Sequence, residues 1–379
     1  MPSLGCDQRL IQVVRLLQSL GSSVDLLHEI TKIPEDSYLH EFRQHFTVKR
    51  FNFTSLCNRE GYNVVLSQTW FWNAGFMPII SKYIPYDAAL LVTPKTILLH
   101  DDAHFARNLD LRKSPTASER EISLMQEEGK LIKARMKVLY AYATVNVFLT
   151  DEDLRDESAH FTIRTPKVMP IGLPSRNCSW SRSMSFHERN GFIFVGNGHV
   201  STNYYSLDWL LLRIWPLVQK SLPSASLKII GNEPWGNPLC KGSNPIAHCW
   251  QEWKQIVSNL SNVKFLGFVQ DLAVEINQSK VLIAPIRYGT GVNTKTLLAA
   301  KHCIPCISTS KASRSMPDLG LSIADNEEEF ARKMVALHQD SHEWSQKREE
   351  LTDDMYMFVR KTRENENSGL LREIVASIA

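Results

Sequence analysis

The stretch from Ala284 to Pro305, APIRYGTGVNTKTLLAAKHCIP, organises the reading of the chain. The run before it, Lys280-Val281-Leu282-Ile283-Ala284, is apolar and β-prone and stops at Pro285, as a buried strand does. Gly289-Thr290-Gly291 supplies a tight turn, and Val292 to Ala300 contains neither Gly nor Pro and has apolar positions suited to a helix lying on a sheet. The segment therefore reads as strand, glycine turn, helix. A turn of this kind aims free backbone N–H groups and the positive end of a helix dipole at one point, where a phosphate can bind. Arg287 enters the turn and Lys295 follows it, so two cations flank the point. A forked guanidinium and a compact ammonium suit a diphosphate. Taken alone, one such unit fits an ordinary tight connection equally well.

The bulk numbers place limits on the rest. The 379 residues suffice for two domains, and 43% hydrophobic with 22% charged residues is the balance of a globular protein. A net charge of +3 gives no case for nucleic acid or an anionic membrane as partner. The sequence has no apolar run of transmembrane length, and its start, MPSLGCDQRLIQVVRLL, lacks the layout of a signal peptide. The expected compartment is therefore cytoplasmic, with a lumen as the alternative if a segment precedes this one. Seven cysteines in a large chain favour reduced thiols; Cys240 and Cys249 flank a loop and could pair under oxidising conditions. Sequons at Asn52, Asn177, Asn259 and Asn277 matter only in the secretory path.

Along the chain, strands and helices alternate. Residues 8–20 carry a helical pattern, Val24 to Leu27 and Asn63 to Ser67 read as strands, and a helix is predicted over Met77 to Tyr83. A strand within Leu90 to Leu99 delivers His100-Asp101-Asp102-Ala103-His104 at its end; a long helix over Glu119 to Ala143, a strand over Thr144 to Thr150, and an N-cap with acidic first turn at Asp151-Glu152-Asp153 follow. Lys167 to Gly172 is a last short strand and turn, and the polar stretch Pro174 to Asn190 reads as a linker. The alternation then restarts, with strands at Phe192 to Val195, Ser226 to Gly231, Val263 to Gly267 and Cys306 to Ser308. Helices are predicted over Tyr204 to Leu222 and Asp271 to Ser279, and a charged helical tail from Asn326. The fold class is α/β, two Rossmann-like domains facing a cleft, with function sought at the carboxyl ends of the strands. The expected boundaries are 1–175 for the N-terminal domain, 176–190 for the linker, 191–345 for the C-terminal domain and 346–379 for a helical tail packing back on the N-terminal domain.

Five pieces of the second half, FIFVGN (192–197), WPLVQKSLP (215–223), LKIIGNEP (227–234), VKFLGFVQDL (263–272) and the opening stretch, resemble in order and spacing a retaining glycosyltransferase of family 4 with GT-B architecture. GCDQRL (5–10), HDDAH (100–104), TVNVFLTDEDLR (144–155) and VMPIGLP (168–174) match more loosely. The resemblance implies transfer of a sugar from a nucleotide-sugar to a carbohydrate, lipid or protein hydroxyl with retention, the nucleotide-sugar being co-substrate and no cofactor or metal being used. It puts the diphosphate on the amides of Gly289, Thr290, Gly291 and Val292, with Arg287 or Lys295 offsetting its charge and Gly196 and Asn197 beneath the donor. It makes Asp102 or His104 the group that orients or deprotonates the acceptor hydroxyl, or contacts the transferring sugar. On residue type alone, Asp101 or Asp102 as a helix cap and the histidines as polar loop residues is the competing reading.

The chain departs from the family pattern at several positions. The Glu that members carry after the glycine turn is Leu298 here, the Gly before the last Ile-Pro is Cys303, and no Arg or Lys follows the first donor-domain strand, which continues Asn197-Gly198-His199-Val200-Ser201-Thr202. The likeness of Gly5-Cys6-Asp7-Gln8 to the loop after the family's first β-strand implies an N-terminal domain lacking that strand. These departures keep two alternatives open: a catalytically degenerate GT-B protein that acts as a binding module, or another GT-B enzyme such as a nucleotide-sugar epimerase. Trp70-Phe71-Trp72 could be an acceptor platform but aromatic clusters are more often core, and the Trp235 to Trp253 insertion suggests a surface loop.

Overall fold

The computed structural model describes residues 95–170 apart from Asp101, 184–232 apart from His199, 257–314 and 320–364, three short strands before them and a few isolated positions. The readings at residues 5–20, Trp70-Phe71-Trp72, Met77 to Tyr83 and Trp235 to Trp253 lie outside the described residues. The chain divides into two compact units. Unit 1 comprises Met1–Phe105, Lys130–Gly172 and Lys361–Ala379, and unit 2 comprises Ala106–Gly129 and Leu173–Arg360.

In unit 1, β1 (Asp25–His28) pairs with β2 (Thr47–Arg50), and a second sheet runs β3 (Val64–Gln68), β4 (Lys95–Leu99), β5 (Val145–Phe148), β6 (Pro166–Val168) in that spatial order; every pair is parallel. Ile97 to Leu99 and all four residues of β5 are buried, as the strands of a covered parallel sheet are, with the polar Asn146 of β5 donating to the Tyr140 and Arg164 carbonyls. α1 (His104–Leu111) starts in unit 1 and ends in unit 2, and α2 (Glu119–Tyr142) starts in unit 2 and ends in unit 1. The first turn of α2 has a capping box, in which the Ser118 amide donates to Glu121 Oε2 at 2.7 Å and the Glu121 amide donates to Ser118 Oγ at 3.3 Å. α3 (Asp151–Ser158) corrects one reading: its cap is Thr150, whose Oγ1 accepts the Asp153 amide at 3.0 Å. Asp151 is already helical, because a hydroxyl one residue earlier reaches the free amides first.

Unit 2 is built on a six-stranded parallel sheet: β7 (Phe192–Val195), β8 (Leu227–Ile230), β9 (Val263–Gly267), β10 (Val281–Ala284), β11 (Cys306–Ser308) and β12 (Ser322–Ile323), in spatial order β12-β11-β10-β7-β8-β9. The chain grows outward from β7 in one direction, then returns to β10 beside β7 and grows outward in the other. That reversal puts a crevice at the carboxyl ends of β7 and β10, the point at which doubly wound sheets hold their ligands. The core on this sheet contains Phe192, Phe194, Leu207, Trp209, Leu210, Leu211, Ile214 and Trp215, each burial of such a side chain contributing roughly 1.5–3 kcal/mol. Residues 184–190, at the end of the stretch read as linker, carry a short turn whose Phe186 joins this core.

The helix predicted over Tyr204 to Leu222 starts earlier and is not regular. α4 (Ser201–Trp209) widens into a π-helical stretch, Leu210–Ile214, before α5 (Trp215–Ser221). Pro216 explains the widening: it brings no N–H and its ring crowds the carbonyl one turn back, so the ladder accommodates it with a longer turn. The extra residue rotates the buried face, so Leu210 and Leu211 are fully buried while Leu212 is only partly so. The remaining helices of unit 2 are α6 (Leu272–Gln278), α7 (Thr294–Lys301), α8 (Ser310–Ser313), α9 (Glu327–Gln339) and α10 (Ser341–Glu364), whose last residues belong to unit 1.

Candidate functional site

Three strands end in glycine along the carboxyl edge of the unit 2 sheet, at Gly196, Gly231 and Gly267. Gly231 has φ +123°, and a Cβ there would lie 2.1 Å from the Gly196 carbonyl oxygen, so only glycine lets β7 and β8 approach this closely. Next to β7, β10 continues through Pro285 and Ile286 into the glycine turn, where Gly289 has φ +129° and Gly291 has φ +77°. A Cβ at Gly289 would also stand 3.1 Å from the Thr202 methyl group, so the turn lies close against the start of α4. The Asn293 side chain caps α7 by accepting the Lys295 amide at 3.0 Å, and the Thr296 hydroxyl donates to the Asn293 carbonyl at 2.7 Å. Strand, turn and helix thus form as read, with the helix beginning two residues later because Asn293 is the residue able to cap.

Lys295 is buried, and its Nζ donates to Asn203 Oδ1 at 2.6 Å and lies 5.1 Å from the centre of the Phe194 ring. Asn203 in turn donates from Nδ2 to the Asn197 carbonyl at 2.9 Å. The ammonium is therefore tied to the end of β7, the region whose own sequence lacks a cation. Burial disfavours its charge and brings its pKa down to about 8. Arg287 faces another neighbour: its guanidinium carbon lies 5.0 Å from the Trp209 ring and 5.7 Å from that of Tyr288. Trp209 Nε1 donates to Glu327 Oε1 at 2.8 Å, and that bond, with help from the Arg287 and Arg213 charges, holds Glu327 below the usual carboxylate range.

The glycine turn differs from expectation at one atom. The Gly289 amide, read as free, donates to Asp110 Oδ2 at 2.9 Å. Asp110 also pairs with Lys311 at 2.7 Å and Lys113 at 3.2 Å. Burial works to raise its pKa, but Lys311, the Gly289 amide and Lys113 together outweigh it and hold the carboxyl below its ordinary range. A local sequence reading does not see this contact, since the bond spans 179 positions.

In unit 1, His100 is a core residue: Nε2 pairs with Asn146 Oδ1 at 2.9 Å and the ring stacks on Phe148 at 4.4 Å. Asp102 and His104 are buried at 8% exposure each, His104 as the first residue of α1. Glu157 Oε1 accepts the Phe105 amide at 2.8 Å. Burial, then the charges of Glu157, Asp102 and Asp153, push the Tyr140 phenol well above its ordinary value. Leu298, in the position of the family's Glu, is buried and offers no hydrogen bond to a ligand. Cys303 has φ +48°, which explains a family glycine at that position. It is also disulfide-bonded, so the expectation of reduced thiols does not hold there, while Cys306 is free and buried. Among the described residues no group of His, Cys, Asp and Glu is arranged to hold a metal ion, and no helix is long and apolar enough to cross a membrane.

Residues 189–340 match the family described as Glycosyl transferases group 1. The match covers less than half of the chain; with the solved structures that share the fold it supports a glycosyltransferase enzyme, and the fold is GT-B. Solved structures agree with the fold over the length of the chain. Sucrose-phosphate synthase from Thermosynechococcus elongatus is 14% identical over 97% of this chain and 93% of its own, with TM-score 0.62. HepE from Anabaena, in complex with UDP and glucose, is 10% identical over 99% and 97%, with TM-score 0.63. Trehalose 6-phosphate synthase from Burkholderia multivorans is 15% identical over 99% and 97%, with TM-score 0.52. A sequence comparison with curated proteins finds no match. The matched residues include β7, α4, the glycine turn, Lys295 and Lys311, whereas Asp110 lies outside them.

Proposed function

We propose that the chain transfers a sugar from a nucleoside diphosphate sugar to a hydroxyl acceptor with retention of configuration, as a metal-independent enzyme of the family 4 type. The observation that carries the reading is the buried Lys295 ammonium beside the glycine turn at the reversal point of the unit 2 sheet. As the glycosidic bond to the diphosphate breaks, negative charge grows on the leaving group. A fixed ammonium, amides of the Gly289 to Val292 turn and the dipole of α7 stabilise that charge without reorganising at the moment of reaction. Gly196 and Asn197 form the floor under the donor, and Asn203 holds Lys295 in register. Arg287, whose guanidinium carbon lies 5.0 Å from the centre of the Trp209 ring, is the second cation of the turn.

Asp102 or His104 in unit 1 is the proposed acceptor-side group. Uridine is the favoured base, because HepE is known in complex with UDP. The acceptor is a carbohydrate, lipid or protein hydroxyl, and the compartment is the cytoplasm. The buried Leu298 supports a second reading, a degenerate module that binds nucleotide without turnover, since it cannot contact a ribose or sugar hydroxyl. Incubation with UDP-sugars and an acceptor panel, followed by proton NMR of the anomeric signal, separates the two. A product with the donor's anomeric configuration is expected; an inverted product contradicts the proposal, and nucleotide binding without any product favours the module.

A further inference from the structure

Asp110 sits in the last turn of α1, where the helix dipole disfavours an acidic side chain. What stabilises it there is non-local: the Gly289 amide at 2.9 Å, Lys311 at 2.7 Å and Lys113 at 3.2 Å all converge on its carboxylate. The side chain is fixed in place by its surroundings. Asn108 Nδ2, on α1, and Arg112 Nη2, just beyond its end, both donate to the Met125 carbonyl, at 3.0 and 3.1 Å. The same segment reaches α4 through Tyr205, whose hydroxyl donates to Glu121 Oε1 at 3.3 Å. Lys311 is held from the other side, in α8, whose cap Thr309 donates its hydroxyl to the Ile286 carbonyl just before the glycine turn.

An amide has one proton to donate, and a carboxylate beside an incoming diphosphate is a like charge. We propose that Asp110 is a built-in competitor of the donor diphosphate, its carboxylate holding the Gly289 amide and the Lys311 ammonium until a nucleotide displaces it. This rests on the reading of the glycine turn as the donor site. Asp110 then acts as a threshold for ligands. A diphosphate, with several negative oxygens, replaces all three contacts, whereas a neutral sugar replaces none of the charge. After displacement Lys311 becomes a further cation for the phosphates, in addition to Lys295.

The test is calorimetric titration of the full chain with UDP, GDP, ADP and inorganic pyrophosphate at one ionic strength. The proteins are the wild type, Asp110→Asn and Asp110→Ala, with Asp353→Asn, an exposed carboxylate of α10, as the control for net charge; melting curves establish that each is folded. Loss of a competing charge-assisted hydrogen bond predicts about tenfold or greater tightening of pyrophosphate and of one nucleotide by both Asp110 variants. Asp353→Asn should bind as the wild type does. Equal or weaker binding by the Asp110 variants overturns the proposal and makes Asp110 a brace of the turn. Pyrophosphate tightening without binding of any nucleotide supports the competitor and removes the nucleotide reading. No binding of any ligand by any folded protein overturns both.

Discussion

Lys295 is a buried cation whose hydrogen-bond partner is an amide oxygen, so its charge is costly until an anion arrives. Its pKa of about 8 lies below the ordinary lysine value, and the unfolded chain therefore holds more protons than the folded one between about pH 8 and about pH 10.5. The burden of this group on stability is thus full below that window and lifts as pH rises through it. For binding the sign is the reverse, because a bound diphosphate favours the ammonium. Nucleoside diphosphate affinity should be level below about pH 8 and fall above it by up to about tenfold per pH unit. Lys295→Gln should abolish that dependence. Calorimetric titrations from about pH 6.5 to about pH 9.5 check this, and an unchanged wild-type affinity above pH 8 would place Lys295 away from the ligand. Lys295 and the glycines were legible because strand, turn and helix start are local chemistry. Asn203 and Asp110 were not: their bonds to this stretch span 92 and 179 positions, and nothing near either residue marks it as a site.

Cys303 makes a sharp local test of the α7–β11 connection. Its φ of +48° is a conformation in which a side chain costs about 1–2 kcal/mol and glycine almost nothing. Comparing Cys303→Gly with Cys303→Ala removes the disulfide from both, so the difference isolates the backbone. Urea unfolding should find the glycine variant about 1 kcal/mol more stable; equal stabilities would mean that the connection relaxes around alanine. Element boundaries show where sequence reading succeeds and where it fails. Val263–Gly267 and Cys306–Ser308 were read residue for residue, because each apolar run is bounded by polar or turn residues. The π-helical stretch at Leu210–Ile214 was missed because the Leu-rich run 210–212 is apolar in any helical register, and only Pro216 hinted at the wider turn. At Thr150 the better-placed hydroxyl outcompeted three consecutive carboxylates that looked more like a cap.

On the scale of the whole molecule, alternation of strand and helix was sufficient to anticipate parallel sheets and a Rossmann-like second half. It could not give the strand order β12-β11-β10-β7-β8-β9, on which the site depends, because pairing order is set by long-range packing. The resemblance of five spaced segments pointed to the donor site without giving that order, and the family match over residues 189–340 covers the same segments. The central claim is that the carboxyl edge of this sheet binds a nucleoside diphosphate through Lys295. The most direct measurement is the thermal shift and calorimetric affinity of UDP, GDP and ADP for the full chain, with Lys295→Ala alongside. The account predicts stabilisation by one of the three and at least about tenfold weaker binding in the variant, the loss of a charge-assisted contact. A cooperatively folded wild type that binds none of them, or a Lys295→Ala protein that binds as tightly, would contradict it.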